Sequence, residues 1–199
     1  SNLLACLAVL CVNGVPLAQA CRVLGQIQPA RGRMQRVGGT REPLVVIDYA
    51  HTPDALEKAL STLADIKPAG GRLFAVFGCG GDRDRGKRPL MTQAALDHAD
   101  IALITSDNPR TENPEQIFAD MKAGIDFGQK QVHEIRDRRE AIKFAVANAK
   151  NGDIVVIAGK GHENYQEIDG VRHWFDDVVE VQSAIDSQHH TADSAYPAQ

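Results

Sequence analysis

The chain has 199 residues, of which 43% are apolar and 5% aromatic, and a formal net charge of −4 at pH 7. This composition is typical of a globular chain with one domain and part of another. Lysines and arginines are scattered, so we expect neither a nucleic-acid partner nor a membrane anchor. The apolar start, residues 1–12, is too short to span a bilayer and lacks the basic residues of a signal peptide, which predicts a cytoplasmic protein.

The four cysteines, Cys6, Cys11, Cys21 and Cys79, form no CxxC pair and show no metal-ligand spacing. Their pattern favours reduced thiols over disulfides or a zinc site.

Apolar residues at helical spacing predict a helical hairpin over Asn2–Val12 and Pro16–Ile27. The first helix starts at residue 1 without a preceding strand or capping loop, which suggests that the chain was cut inside a larger domain. The glycine- and proline-containing stretch 28–43 is typical of a linker that has room for one short strand. We therefore assign residues 1–37 to a helical remnant of a preceding domain plus linker.

From residue 44 the pattern alternates between strands and helices, which predicts a doubly wound, mostly parallel, Rossmann-like α/β sheet. The expected elements are Leu44–Asp48, Pro53–Ile66, Arg72–Phe77, Pro89–His98, Ile101–Thr105, Pro114–Phe127, Val132–Ile135, Arg138–Lys150, Ile154–Ala158, a hairpin over Tyr165–Phe175 turning at Asp169 and Gly170, and a helix Asp176–Ile185. We expect the hairpin to form an antiparallel edge, the domain to cover residues 38–187, and the polar tail 188–199 to be disordered.

The polar residues concentrate in the loops that follow the predicted strands, and such loops gather at one edge of a parallel sheet. In the first loop, Asp48 suits a ribose hydroxyl or a hydrated magnesium ion, and His51 suits a phosphate. The alternative is a helix N-terminus, with Thr52 or Asp54 capping a helix opened by Pro53.

The second loop, residues 78–88, matches the GxxxxGK spacing of a phosphate-binding P-loop through Gly81, Gly86 and Lys87. Arg88 stands where that motif needs Ser or Thr, and charged side chains crowd the interior of the loop. We interpret the segment as a glycine-hinged loop that presents Arg83 to an anionic ligand; a merely solvated charged loop is the alternative.

Two further loops complete the predicted edge. Asp107–Arg110 (DNPR) offers an arginine that can hold a carboxylate or phosphate with two hydrogen bonds, although an Asn-Pro turn with surface charges is the simpler interpretation. Gly159–Glu163 (GKGHE) brings glycines that allow close approach of a ligand and a glutamate that can receive an ammonium group; its alternative is a glycine turn. Two arginines and one glutamate in neighbouring loops indicate a pocket for a small zwitterion.

Five ordered motifs carry a resemblance to a known family: Gly32-Arg33-Met34, DYAHTPD at 48–54, GCGGDRDRGKRP at 78–89, DNPR at 107–110 and GKGHE at 159–163. Over residues 1–185 the chain resembles the C-terminal part of the Mur ligases, in particular the members that add meso-diaminopimelate, which DNPR marks within the family. The resemblance implies an ATP-dependent, amide-forming ligase that acts on UDP-MurNAc-L-Ala-D-Glu in peptidoglycan synthesis.

The resemblance also implies site residues. The meso-diaminopimelate site would comprise Arg83, Asp107, Asn108, Pro109, Arg110, Gly159 and Glu163. Asn2 matches the family's adenine-contacting asparagine, and Arg33, Asp48 and His51 would approach the ribose or phosphates of ATP. Diaminopimelate is lysine with a second carboxylate, so selecting it needs an additional cation, for which Arg110 is the candidate.

In the implied reaction ATP activates a carboxylate as an acyl phosphate, which the amine of diaminopimelate attacks, with Mg²⁺ supporting the charge at the phosphates. The family's phosphate loop, carbamylated lysine, main magnesium ligands and UDP-sugar domain precede the segment that resembles this chain. We therefore expect the polypeptide alone to be inactive, assign it no metal ligand, and keep only His51 and Asp48 as candidates for a catalytic role.

Two other functions remain open. The first is a Rossmann-like nucleotide-binding module or P-loop phosphotransferase that uses Gly81 to Lys87. The second is a non-catalytic interaction domain with solvated charged loops.

Overall fold

A computed structural model describes residues 2–27, 30–40 and 42–193, and the chain divides into two compact units, 1–30 and 31–199. The first unit contains helices α1 (Asn2–Val12) and α2 (Leu17–Leu24). The helix α1 has the predicted bounds, whereas α2 ends earlier than predicted, at the Gly25 cap. The cysteines Cys6, Cys11 and Cys21 are exposed and Cys79 is buried, and none of the four is joined in a disulfide.

The second unit is built on a six-stranded sheet. Its strands are β1 (Gln35–Gly38), β2 (Leu44–Asp48), β3 (Leu73–Phe77), β4 (Ile101–Ile104), β5 (Gln131–Glu134) and β6 (Ile154–Ala158), in the order β1-β2-β6-β3-β4-β5. Every neighbouring pair is parallel except β1 with β2. All residues of β3, β4 and β6 are buried, as expected for strands covered on both faces. The predicted mostly parallel α/β fold is confirmed.

Helices cover both faces of this sheet. They are α3 (Pro53–Ile66), α4 (Lys87–His98), α5 (Pro114–Lys122), α6 (Arg138–Asn148) and α7 (Asp177–Asp193). One apolar core contains side chains of α3, α4 and α5, and a second contains side chains of α6 and α7. Alternate residues of each strand enter the two cores: Val46 faces the first, while Val45 and Ile47 face the second.

The late hairpin forms with the predicted turn but not at the predicted place. Strands β7 (Tyr165–Ile168) and β8 (Val171–Trp174) pair with each other as a separate two-stranded sheet. The positive φ angles of Asp169 and Gly170, 50° and 73°, suit a two-residue hairpin turn. The antiparallel edge of the main sheet is β1, in the segment that we interpreted as linker.

Other boundaries also differ. The helix α5 stops at Lys122 instead of Phe127, because the chain turns at Gly124 with a φ of 72°. The helix α7 extends to Asp193, past the predicted end at Ile185, so the first part of the expected disordered tail is helical; residues 194–199 lie outside the described residues. The predicted domain boundary after residue 37 would cut β1, whereas the second unit begins at Arg31.

The remaining ends of the second unit's elements differ from the prediction by at most two residues. Among the described residues, no helix has the length and apolar character needed to cross a bilayer.

Candidate functional site

A cavity of about 410 Å³ lies where β2, β3, β4 and β6 end. Its walls are formed by Tyr49, His51, Thr52, Gly78, Gly80, Arg83, Asp84, Lys87, Asp107, Asn108, Arg110, Gly159, Glu163 and Tyr165. The predicted loops therefore do meet at the carboxyl edge of the sheet. Of the predicted amino-acid site, only Pro109 is not part of the wall, and it is buried behind it.

The glycine-rich loop after β3 packs directly on the DNPR segment. The Gly81 amide donates a hydrogen bond to the Asn108 carbonyl over 2.9 Å. A Cβ atom on Gly81 would lie 1.9 Å from the Pro109 carbonyl oxygen, and one on Gly78 would lie 2.3 Å from the Thr105 carbonyl oxygen. These glycines permit close contact between two loops of the protein, which is a different task from wrapping a phosphate.

Arg88, which stands where a P-loop has its hydroxyl residue, is fully buried. Its guanidinium donates to both carboxylate oxygens of Glu112, over 2.7 and 2.6 Å, and to Asp120 over 2.8 Å. The hydrogen bonds from Arg88 lower the pKa of the Glu112 carboxyl to about 2, although partial burial opposes the shift. Arg88 therefore anchors the loop 78–88 from its buried side. This geometry disfavours the P-loop alternative.

Arg110 adopts a strained backbone conformation that the hairpin supports. Its φ of 54° lies in the left-handed region, where a non-glycine residue needs support from its surroundings. Its amide donates to the Glu167 carbonyl over 2.9 Å, and its carbonyl accepts from the Asp169 amide over 2.7 Å. Its guanidinium donates to the Gly81 carbonyl over 2.8 Å, which holds the charge at the cavity wall.

Arg83 contrasts with Arg110. The side chain is exposed and lines the cavity, and among the described residues it forms no hydrogen bond or ion pair. Its five N–H groups are therefore open to a ligand.

A polar network links the loop of Glu163 to the DNPR segment. The Asn108 amide nitrogen donates to Glu163 Oε2 over 3.0 Å. The ammonium of Lys160, which is fully buried, donates to Asn108 Oδ1 over 2.8 Å and to the Tyr165 carbonyl over 2.7 Å, and lies 3.4 Å from Asp107 Oδ1. Burial lowers the pKa of Lys160, and the nearby carboxylates oppose that shift.

The end of β6 is fixed by two further contacts. Gly159 has a φ of 113°, and a Cβ atom there would lie 2.6 Å from Asp107 Oδ2, so only glycine allows this approach. Behind it, the fully buried pair of Arg138 and Asp177 holds the Ala158 carbonyl through a 3.0 Å hydrogen bond from Arg138. The loop 159–163 is thus attached to the folded core at the point where it leaves β6.

The candidate nucleotide residues do not all point into the cavity. The guanidinium of Arg33 lies 4.9 Å from the centre of the Tyr49 ring, and Asp48 Oδ2 accepts a 2.8 Å hydrogen bond from the Met34 amide. His51 lines the cavity and contacts the Tyr49 carbonyl through Nδ1 over 2.9 Å. Asp48 therefore connects β2 to the 32–34 motif instead of facing the cavity.

Two of the predicted positions need separate mention. Thr52 caps α3 by accepting from the Ala55 amide, so the helix N-terminus that we left as an alternative does form beside His51. Asn2 lies in the other compact unit, and its side chain is outside the part of the chain that the structure describes.

Sequence reasoning missed several residues of the site, namely Tyr49, Lys87, Lys160 and Tyr165. Lys160 stands between two glycines and looked like part of a turn, because its partners come from other loops. Tyr165 was assigned to an edge hairpin. Lys87 was considered only as a P-loop lysine, whereas its ammonium donates to the His51 carbonyl over 2.8 Å.

The fold and the loops at its carboxyl edge define a Rossmann-like α/β domain with a charged ligand cavity. Residues 32–161 match the family model described as "Mur ligase, glutamate ligase domain". The chain belongs to the Mur ligase family, as the five motifs predict.

Two similar relatives found by sequence carry the same name. A protein of Chromobacterium violaceum named "UDP-N-acetylmuramoyl-L-alanyl-D-glutamate--2,6-diaminopimelate ligase" is 62% identical over 185 residues, which cover 93% of this chain and 37% of the relative. A protein of the same name from Neisseria meningitidis serogroup A is 54% identical over 184 residues, or 92% of this chain and 37% of the relative. The chain thus spans 37% of the length of these curated relatives.

Solved structures agree on the fold. A structure of a diaminopimelate ligase with that name superposes with a TM-score of 0.78 at 63% identity, covering 95% of this chain and 38% of the other. The UDP-N-acetylmuramate-alanine ligase of Thermotoga maritima superposes with a TM-score of 0.65 at 17% identity, which shows the shared fold alone.

Proposed function

We propose that this chain is the amino-acid-binding domain of an ATP-dependent ligase that adds meso-diaminopimelate to UDP-MurNAc-L-Ala-D-Glu during peptidoglycan synthesis in the cytoplasm. The observation that carries the proposal is the cavity itself, which is lined by the guanidinium groups of Arg83 and Arg110 together with the carboxylates of Asp84, Asp107 and Glu163. The names of the relatives support the choice of substrates.

The arrangement suits a ligand with charges of both signs at two ends. Diaminopimelate carries a carboxylate and an ammonium group at each end, so it can offer two carboxylates to Arg83 and Arg110. The Glu163 carboxylate and the Gly159 carbonyl are the proposed acceptors for the distal ammonium. Asn108 and Asp107 hold these groups in place through the network described above.

Arg110 is the proposed selectivity residue. L-Lysine has the distal ammonium but not the distal carboxylate, so its binding would leave the Arg110 guanidinium without that anionic partner. A hydrogen bond to a charged group contributes about 1.5–3 kcal/mol, which corresponds to a preference for diaminopimelate of roughly tenfold to a hundredfold. Since Arg110 keeps the Gly81 carbonyl as a partner, we expect the lower part of that range.

The nucleotide contacts are proposed separately. We assign Arg33, Asp48 and His51 to the ribose and phosphates of ATP and Asn2 to adenine, and the hydrogen bond from the Met34 amide to Asp48 joins this group to the 32–34 motif. Among the described residues no three His, Cys, Asp or Glu side chains come together as metal ligands. The ATP-consuming activation belongs to the whole enzyme, and the 199-residue chain alone is expected to bind without ligating.

Calorimetric titration of this chain with meso-diaminopimelate, L-lysine and ATP tests the proposal. The wild-type chain should bind meso-diaminopimelate more tightly than L-lysine, and Arg110→Ala should remove most of this preference. Arg136→Ala is the matched control, because Arg136 is an exposed arginine paired with Glu115 and Glu134 outside the cavity wall. Equal affinity of the wild type for both amino acids would refute the selectivity, and binding of ATP alone would favour a nucleotide-binding module.

A further inference from the structure

The buried ammonium of Lys160 connects three segments of the site. It has no exposed surface, and it reaches the DNPR segment, the hairpin and its own loop at once. Its contacts are Asn108 Oδ1 at 2.8 Å, the Tyr165 carbonyl at 2.7 Å, Asp107 Oδ1 at 3.4 Å and Glu163 Oε2 at 3.9 Å. Two of the three N–H donors of the ammonium form hydrogen bonds, to Asn108 Oδ1 and the Tyr165 carbonyl, and the carboxylates of Asp107 and Glu163 lie within ion-pair distance of the same group.

These contacts determine which way the Asn108 amide faces. Lys160 Nζ and the Glu167 amide can only donate, and both face the same side-chain atom of Asn108, over 2.8 and 3.0 Å. That atom must be the carbonyl oxygen, so the amide nitrogen is turned toward Glu163, whose carboxylate can only accept. The Glu163 carboxylate is thereby held by one defined donor.

We propose that Lys160 is a positioning residue that fixes the Asn108 amide and, through it, aims the Glu163 carboxylate at the amino-acid ligand. The inference rests on the proposed function for the identity of the ligand. It assigns Lys160 no contact with that ligand.

Charge supports the same role. Asp107 and Glu163 lie on the cavity wall, and Lys160 is a buried cation within 4.0 Å of both. Without the ammonium the two carboxylates would repel each other in a partly buried site, and Glu163 would be free to move away from Asp107. Lys160 therefore keeps the two carboxylates close to each other while leaving Glu163 on the wall.

A double-mutant cycle separates positioning from general stability. Lys160→Met removes the ammonium at similar length, and we expect it to weaken meso-diaminopimelate binding by about tenfold to a hundredfold. If Lys160 acts through Glu163, the double variant Lys160→Met/Glu163→Gln should bind no more weakly than Glu163→Gln alone. If the losses of affinity in the two single variants added up in the double variant, the proposal would be overturned.

Lys67→Met is the matched control. Lys67 also donates to a backbone carbonyl, that of Gly71, and to a carboxylate, that of Asp100, but at the opposite edge of the sheet. It should leave meso-diaminopimelate affinity unchanged. If the Lys67 and Lys160 variants lost affinity for meso-diaminopimelate equally, lowered stability, not positioning, would explain both losses.

A measurement without ligand keeps the inference testable if Lys160→Met does not fold or if the chain does not bind diaminopimelate. In the wild type, the side-chain NH₂ of Asn108 should exchange with solvent at least about tenfold more slowly than that of Asn113, which is exposed. Equal exchange of the two amides would overturn the role of Lys160. Slow exchange at Asn108 together with no binding of diaminopimelate would refute only the identity of the ligand and would leave the role of Lys160 intact.

Discussion

The two edges of the central sheet carry cavities of similar size that differ in the number and pairing of the charged groups lining them. The carboxyl-edge cavity has about 410 Å³, and a depression of about 450 Å³ lies at the amino edge, between the loops that precede β3 and β6. Both edges also contain glycines at which two loops touch: Gly81 against Pro109 at the carboxyl edge, and Gly71 against Gly152 at the amino edge.

The charges distinguish the two edges. At the amino edge Asp153 accepts hydrogen bonds from the amide and guanidinium of Arg72 and from the Lys150 amide, so its charge is satisfied within the protein. Burial alone would raise the pKa of Asp153, but these hydrogen bonds lower it. At the carboxyl edge the described residues leave Arg83 without a partner. Among the described residues Lys150 at the amino edge also lacks a side-chain partner, so the convergence of two guanidinium groups and three carboxylates on one cavity, and not an unpaired charge or the volume, marks the candidate site.

The largest effect on stability is expected from removing the buried charge of Arg88, next to the glycine-rich loop after β3. Arg88→Met would leave Glu112 and Asp120 without their buried cation, and we expect the free energy of unfolding to fall by about 3 kcal/mol. Arg85→Met is the matched control, because Arg85 also binds Asp120 but is mostly exposed. Denaturant unfolding measures both variants, and equal losses would show that burial of Arg88 is unimportant.

The same variant should change the acid stability. The pKa of Glu112 is lowered from its ordinary 4.5 to about 2 in the folded chain, so its contribution is present above pH 4.5 and is lost as the pH falls through 2. Arg88→Met lacks this contribution. The stability difference between wild type and variant should therefore shrink between pH 4.5 and 2, and a constant difference would contradict the assignment.

A smaller effect on stability is expected at the two glycine contacts. A Cβ atom would lie 1.9 Å from a carbonyl oxygen in Gly81→Ala and 2.2 Å in Gly71→Ala, so we expect each variant to lose about 1–3 kcal/mol. Only Gly81→Ala should also weaken meso-diaminopimelate binding, by at least about tenfold, because it displaces the loop that holds Arg110. Calorimetry at a temperature where both variants are folded measures this, and equal affinities would remove the distinction between the edges.

Local patterns in the sequence were enough to predict most of the main sheet. The bounds of β2, α3 and β6 agree with the prediction, because long apolar runs and an N-terminal proline define them. Strand β1 was anticipated only as one short strand of unstated bounds in the linker, because Gln35–Gly38 is short and polar and becomes a strand only by pairing with β2. The hairpin's partners could not be predicted either, since its attachment depends on the backbone of Arg110.

The residues of the candidate site likewise divide into those that local sequence patterns predicted and those that depend on distant partners. Residues that face the cavity, such as Arg83 and Glu163, were predicted from the loops in which they stand. Lys160 and Arg88 were not predicted to be structural, because their partners lie in distant segments and burial changes what their charges do. The Asp48 carboxylate, which the family resemblance assigns to the ribose or phosphates of ATP, accepts a hydrogen bond from the Met34 amide, and its nucleotide role stays a prediction.

Mapping the ligand on the two edges tests the central claim most directly. Meso-diaminopimelate is titrated into the uniformly ¹⁵N-labelled chain while backbone amide shifts are recorded. We predict progressive, saturating shifts in residues 78–83, 107–111 and 159–163 at the carboxyl edge, with residues 69–72 and 150–153 at the amino edge unchanged. Shifts confined to the amino edge, or none at saturating ligand, would contradict the assignment of the carboxyl-edge cavity as the amino-acid site.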